Sequence, residues 1–337
     1  RPYSISSRTI RDVELFFVRV ISEDGDIGLG SASPAEEVTG ETNSDCETAL
    51  EHQRLSTFEG RDLRHLTAMS RDLESSHRAT PAARVAVEMA LYDLASRALG
   101  LPLVEVLGRC HDSLPTSITI GIKESIEEAL EEANEYLARG FVSLKVKIGR
   151  SFKEECELLE RLHERLGGRA RIRVDANLGY SREQTTELWP LVERLDLELV
   201  EQPVPIEFFG KLDGLPDAYR RCLAADESLQ NERDAIALAQ APPACGIFNI
   251  KLMKCGGLSS ARTIARIAEI AGVNLMWGCM DESAISISAA LHTAYSCPNT
   301  RYLDLDGSFD LARDPALGGF ELVDGRLRLL DAPGLGV

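Results

Sequence analysis

SLKVK (Ser143–Lys147), RIRVD (Arg171–Asp175), LELVE (Leu197–Glu201), CLAAD (Cys222–Asp226) and IFNIK (Ile247–Lys251) are five short apolar runs that each stop on a charged residue. Those residues, Lys147, Asp175, Glu201, Asp226 and Lys251, follow one another at intervals of 28, 26, 25 and 25. A βα unit of a (β/α)8 barrel takes roughly 30 residues, since about 250 residues make eight of them. The runs therefore read as five successive barrel strands, each with one charge at its C-terminal tip, and the tips of a barrel surround a single point.

Working outward, β-rich runs alternate with amphipathic stretches from about residue 114, the pattern of parallel βα units. The expected strands are Ser117–Ile122, Ser143–Lys147, Arg171–Asp175, Leu197–Glu201, Cys222–Ala225, Gly246–Lys251, Val273–Trp277 and Thr300–Asp304. Helices fit between them at Ser125–Ala138 and Ser181–Arg194, which open on the capping-box patterns Ser-x-x-Glu and Ser-x-x-Gln, and at Ser259–Ala271. The first 110 residues lack this rhythm. Asp12–Ser22 alternates, Asp24-Gly25 signals a hairpin before Ile27–Ser31, and Pro81–Leu99 carries Ala and Leu on one face. The expected organisation is an α/β chain: an α+β capping domain over 1–112, a modified TIM-like (β/α)8 barrel over 113–306, and a segment, 307–337, with a hairpin at Asp324-Gly325 that returns to the capping domain.

Composition narrows the function. Of 337 residues, 44% are apolar and 27% charged, as in ordinary globular proteins, and no apolar run is long enough to span a membrane. A net charge of −17 argues against nucleic acid or an anionic membrane surface as partner. The eight cysteines never form a CxxC pair, and the expected compartment is a reducing cytoplasm. No cleavable signal is visible, and the start at Arg1 rather than Met leaves the N-terminus open.

Asp175, Glu201 and Asp226 are hard oxygen donors suited to Mg2+, with Mn2+ as a substitute, and no soft ligand accompanies them. An acid at a strand end also caps a following helix, but three at matching tips, with a lysine on each side, describe a divalent metal flanked by two bases. Lys145 and Lys147 share one face of their strand by period-two alternation, while Leu144, Val146 and Ile148 take the other. Lys251, four strands on, faces the bound molecule from across the barrel. Beside a cation and each other, these lysines are expected to have depressed pKa values, which suits a general base.

These residues, with Asp175-Ala-Asn177, Val200-Glu-Gln-Pro203, Ala225-Asp-Glu227 and Asn249-Ile-Lys-Leu-Met-Lys-Cys-Gly-Gly257, resemble the enolase superfamily over essentially the whole chain. Lys-x-Lys on the second strand and Lys on the sixth are similar to its muconate-lactonizing subgroup. The His-dependent branch needs a His near the seventh strand, and the nearest, His292, falls deep in the next helix and reads as structural. Asp304-x-Asp306 resembles the pair with which dipeptide epimerases of the subgroup hold a free α-ammonium group. The resemblance implies 1,1-proton transfer at the α-carbon of a dipeptide's C-terminal residue through an enediolate, with Lys147 and Lys251 as opposed acid and base and Lys145 on the substrate carboxylate. It places Asn177 and Glu227 behind that set and implies a symmetric homo-oligomer. N-acylamino acid racemase, o-succinylbenzoate synthase and cycloisomerase reactions use the same metal and lysines and stay open, as does a non-catalytic barrel. For side-chain specificity, Arg8 occupies what looks like the glutamate-binding position of Ala-Glu epimerases, and Val38–Thr42 reads as a specificity loop. Asp281 departs from that pattern, since an acid there neutralises Arg8 or recruits a cationic side chain. Ala-Glu dipeptides are slightly favoured over cationic ones.

Overall fold

The computed structural model describes residues 3–6, 9–212, 214–309 and 311–337. Near the N-terminus, strands β1 (Phe16–Ile21) and β2 (Ile27–Ala32) form the expected antiparallel hairpin. It packs on helix α1 (Pro81–Ala98), whose first position is Pro and which is buried along most of its length. Gly28 and Gly30 make this packing possible, because a Cβ at either would fall 2.0 or 1.8 Å from a carbonyl oxygen of α1.

Eight parallel strands follow in sequential order, each beside its predecessor. They are β3 (Ile118–Ile120), β4 (Ser143–Lys147), β5 (Arg171–Asp175), β6 (Leu199–Glu201), β7 (Leu223–Ala225), β8 (Ile247–Ile250), β9 (Asn274–Gly278) and β10 (Thr300–Asp304). A bridge between Thr116 and Leu303 brings the first and last together and closes the barrel. Three strands match their expected bounds. The first, fourth, fifth and sixth are shorter than the runs that announced them, because their end residues leave the ladder for loops, and the seventh is shifted by one residue. Cys222 instead ends a short helix, Asp217–Cys222.

Helices α2 (Ile126–Ala138), α3 (Phe152–Leu166), α4 (Arg182–Arg194), α5 (Leu258–Ala271) and α6 (Ala284–Tyr295) cover the outside. Ser125 accepts from Glu128 N at the start of α2, and Ser181 with Gln184 forms a full capping box on α4. His292 lies buried in α6, where its Nδ1 accepts from Val104 N at 2.9 Å and burial pushes its pKa down to about 3. It is a core residue.

The last residues form a hairpin, β11 (Phe320–Val323) and β12 (Arg326–Leu329), and then run back to α1, where Leu335 N donates to Asp93 and Arg97 donates to Val337 O. All eight cysteines are free. Among the described residues no helix is long and apolar enough to cross a membrane.

Candidate active site

Parallel pairing sets the site's geometry. Lys147, Asp175 and Glu201 are consecutive ladder partners on β4, β5 and β6, so their side chains leave the sheet at one level. Asp226 and Lys251 each sit one residue beyond β7 and β8, at the same end. Asp175, Glu201 and Asp226 bring carboxylate oxygens within 4.8 Å of one another, and all three are buried.

Four lysines meet them. Lys145 Nζ lies 3.0 Å from Asp175, 2.8 Å from Glu201 and 2.7 Å from Asp304. Lys147 lies 2.6 Å from Asp175 and Lys251 2.7 Å from Asp226. Lys254, to which the sequence reading gave no role, pairs with Asp226 and also donates to Asp226 O at 2.6 Å and Asn249 O at 3.2 Å. Asn249 donates to Glu201 at 2.7 Å. Both belong to the 249–257 run: Asn249 shares a strand face with Lys251, and Lys254 follows it by one helical turn, so periodicity was the available signal.

The expected depression of the lysine pKa values is corrected here for two of them. Burial opposes the charge on Lys145, but Asp175, Asp304 and Glu201 outweigh it and hold the ammonium well above its usual range. Lys251 is likewise raised, with Asp226 and Glu201 overcoming burial. A neighbouring cation and the lysines' mutual repulsion both favour the neutral amine, but direct pairing with the carboxylates, which the sequence did not reveal, outweighs that repulsion. The acids diverge. Burial would raise Asp175, but Lys145 and Lys147 hold it at about 2. Glu201 is pushed up to about 8 by burial and by Asp175.

The donor set fits a divalent cation. With Glu227, Asp304 and Asp306, the triad makes six carboxylates against four lysines, a formal excess of two negative charges. Glu201 Oε2 sits near Lys145 but outside hydrogen-bond geometry, and Glu227 Oε2 is buried with no hydrogen-bond donor. Oxygens in this condition suit a hard metal.

Around this centre, Asn177, in the left-handed region at φ 40°, accepts from Lys147 at 3.1 Å and donates to Glu227 at 3.2 Å. Burial and Asp226 raise Glu227 to about 7, and its hydrogen bond goes to Asn177 rather than to Lys251. Asp304 takes Lys145 on one oxygen and Ser117 on the other, while Asp306 accepts from Thr119 N at 2.8 Å. Burial and Asp304 push Asp306 up to about 7.

A cavity of about 1030 Å3 opens above the centre, walled by capping-domain segments 9–14 and 33–44. Val38, Glu41 and Thr42 of the expected specificity loop line it, as does Asp281, whose carbonyl accepts from Ser33 at 2.8 Å. Glu41 is turned away, capping α1 through Ala82 N and Ala83 N. Arg8 lies outside the described residues.

Residues 128–337 match the enolase C-terminal domain-like family, and residues 1–108 match the N-terminal domain of mandelate racemase and muconate lactonizing enzyme. The chain belongs to this family, within the enolase superfamily. It is 58% identical to the L-Lys-D/L-Arg epimerase of Methylococcus capsulatus, a match covering 100% of this chain and 94% of that protein. Against the L-Ala-D/L-Glu epimerase of Bacillus subtilis identity is 34%, covering 100% and 92%. The crystal structure of the Methylococcus capsulatus dipeptide epimerase with Mg and the dipeptide L-Arg-D-Lys superimposes with a TM-score of 0.98, covering 100% of this chain and 95% of that one.

Proposed function

We infer that this chain is a Mg2+-dependent dipeptide epimerase whose substrates carry cationic, Lys- or Arg-type side chains. The observation that carries the side-chain class is the acidity of the cavity wall. Asp12, Glu14, Glu36 and Glu37 line it from the capping side, and Asp281 and Asp306 from the barrel. Of the cations that line it outside the lysine centre, Lys123 is paired with Glu132 at 2.8 Å, and Arg11 stands against these six acids. Such a wall attracts cationic side chains and repels the glutamyl carboxylate of an Ala-Glu dipeptide. The 58% identity to an L-Lys-D/L-Arg epimerase supports the same choice, which replaces the slight preference for Ala-Glu drawn from Arg8.

Asp175, Glu201 and Asp226 would hold Mg2+, which when bound supplies Lewis-acid stabilisation of charge developing on the substrate's terminal carboxylate. Lys145, between Asp175 and Glu201, hydrogen-bonds that carboxylate. Lys147 and Lys251 project from β4 and from the end of β8, four strands apart, and so reach opposite faces of the α-carbon. One amine takes the proton from its face, and the opposing ammonium returns a proton to the other face, which inverts the centre and leaves the pair's proton count unchanged. Asp306, with Asp304 behind it, receives the free α-ammonium.

Turnover of L-Lys-L-Arg and L-Ala-L-Glu, followed by proton NMR in D2O with Mg2+, tests this reading. We expect kcat/KM to favour the cationic dipeptide by at least about a hundredfold, as for mismatched charge in a desolvated pocket. A preference for Ala-Glu would overturn the assignment.

A further inference from the structure

Barrel interiors are ordinarily filled by layers of branched apolar side chains. Here Leu199, Ala224, Ile247 and Met276 form a separate buried apolar cluster, with Tyr302 packed against it. Yet Arg173 is only 1% exposed, its guanidinium carbon 5.2 Å from the Tyr302 ring centre. A guanidinium out of water is costly unless its donors are met. Nε donates to Glu198 at 2.6 Å, and Nη1 donates to Leu303 O at 2.6 Å and to Ser117 Oγ at 3.2 Å. Ser117 then donates to Asp304 Oδ1 at 2.6 Å, and Lys145 donates to Asp304 Oδ2 at 2.7 Å. Ser117, Lys145 and Asp304 are also almost fully buried.

This thread runs along the seam where the barrel closes. The first and last strands meet there through the Thr116–Leu303 bridge and the Ser117 N to Leu303 O bond of 3.0 Å. Asp304 is paired with Gly278 on β9 but lies one residue past the bridge on the seam side, so the sheet holds it from one side only, whereas Asp175 and Glu201 have ladder partners on both.

We propose that Arg173 and Ser117 are positioning residues for the epimerase reaction, holding Asp304 so that it fixes the Lys145 ammonium between Asp175 and Glu201. Neither touches the reacting atoms. Arg173 anchors the seam through Leu303 O, and Ser117 occupies one Asp304 oxygen, which leaves the other for Lys145. Asp306 remains as the carboxylate of the pair that meets the substrate.

Ser117→Ala deletes a single oxygen and leaves Arg173 its Glu198 and Leu303 partners, so a folded variant with a near-parental melting temperature is expected. With L-Lys-L-Arg, kcat should fall on the order of tenfold while KM stays within about twofold, the signature of a misplaced catalytic group rather than lost binding. In the variant's crystal structure, Asp304 should leave its 2.7 Å contact with Lys145. A kcat within about twofold of the parent, or a loss confined to KM, would overturn the proposal, and so would an unchanged Asp304–Lys145 contact. The kinetic arm rests on the dipeptide reading. A parent inactive on every dipeptide contradicts that reading instead, and the crystallographic arm still decides the thread.

Discussion

Asp306 and Asp304 are two residues apart and sit in opposite electrostatic situations. Burial raises both, but Lys145 and Ser117 bring Asp304 below its usual value, while the Asp304 charge pushes Asp306 up to about 7. A carboxylate raised in this way is neutral below its pKa and charged above it, so the α-ammonium of a dipeptide finds its counter-ion only as pH rises through about 7. We expect kcat/KM for L-Lys-L-Arg to climb through that region, and Asp306→Asn to lower it by roughly ten- to a hundredfold and remove the climb. A profile unchanged in the variant would take the substrate ammonium away from Asp306. Asp306→Gly should also weaken dipeptides more than N-acylated amino acids, which have no free ammonium, and an equal loss on both would contradict the same role.

The turn after β8 shows how an element far away in sequence secures Lys251, the lysine proposed to act on one face of the substrate. Lys251 leads into the single turn Leu252–Cys255, followed by Gly256 and Gly257. Arg84 on α1 donates to Cys255 O and Gly256 O, and Glu88, one turn on, accepts from Leu258 N, Ser259 N and Ser259 Oγ at the start of α5. Side chains at the two glycines would collide with this clasp: a Cβ on Gly256 lands 2.2 Å from Arg84 Nη2, and one on Gly257 lands 2.2 Å from Glu88. Glu88→Ala should therefore destabilise the fold by about 1–3 kcal/mol in urea unfolding, since it strands buried N–H donors. An effect below about 0.5 kcal/mol would show that solvent replaces the carboxylate. This level was also the least legible in the sequence. The charged strand tips were readable because five apolar runs each end on one and β-alternation fixes their direction. Lys254 and Asn249 lay inside a quoted motif but needed the turn's geometry to acquire partners. Arg84, Glu88, Arg173 and Ser117 gave no local signal at all, because their partners lie on other elements, between 25 and 187 residues away.

Across the whole molecule, the barrel sets two lysines against each other over an acidic centre, and the capping domain closes an acidic wall above them. The excess of carboxylates over lysines means that a bound divalent cation should stabilise the folded state. Chelation should abolish epimerisation, and saturating Mg2+ at about 100 times its dissociation constant should add about 2.7 kcal/mol to folding stability, seen as a raised melting temperature. A melting temperature indifferent to Mg2+ would remove the triad as its site. Lys147 and Lys251 are proposed to work from opposite faces of the α-carbon. Solvent exchange of the C-terminal α-proton, followed by proton NMR in D2O for both epimers of Lys-Arg with Lys147→Ala and Lys251→Ala, decides whether they do. Each variant should lose net epimerisation by a factor of about a thousand or more while keeping α-proton exchange on one epimer only, the opposite epimer in each case. Net epimerisation surviving in either variant, or both variants exchanging the same epimer, would contradict the two-lysine mechanism.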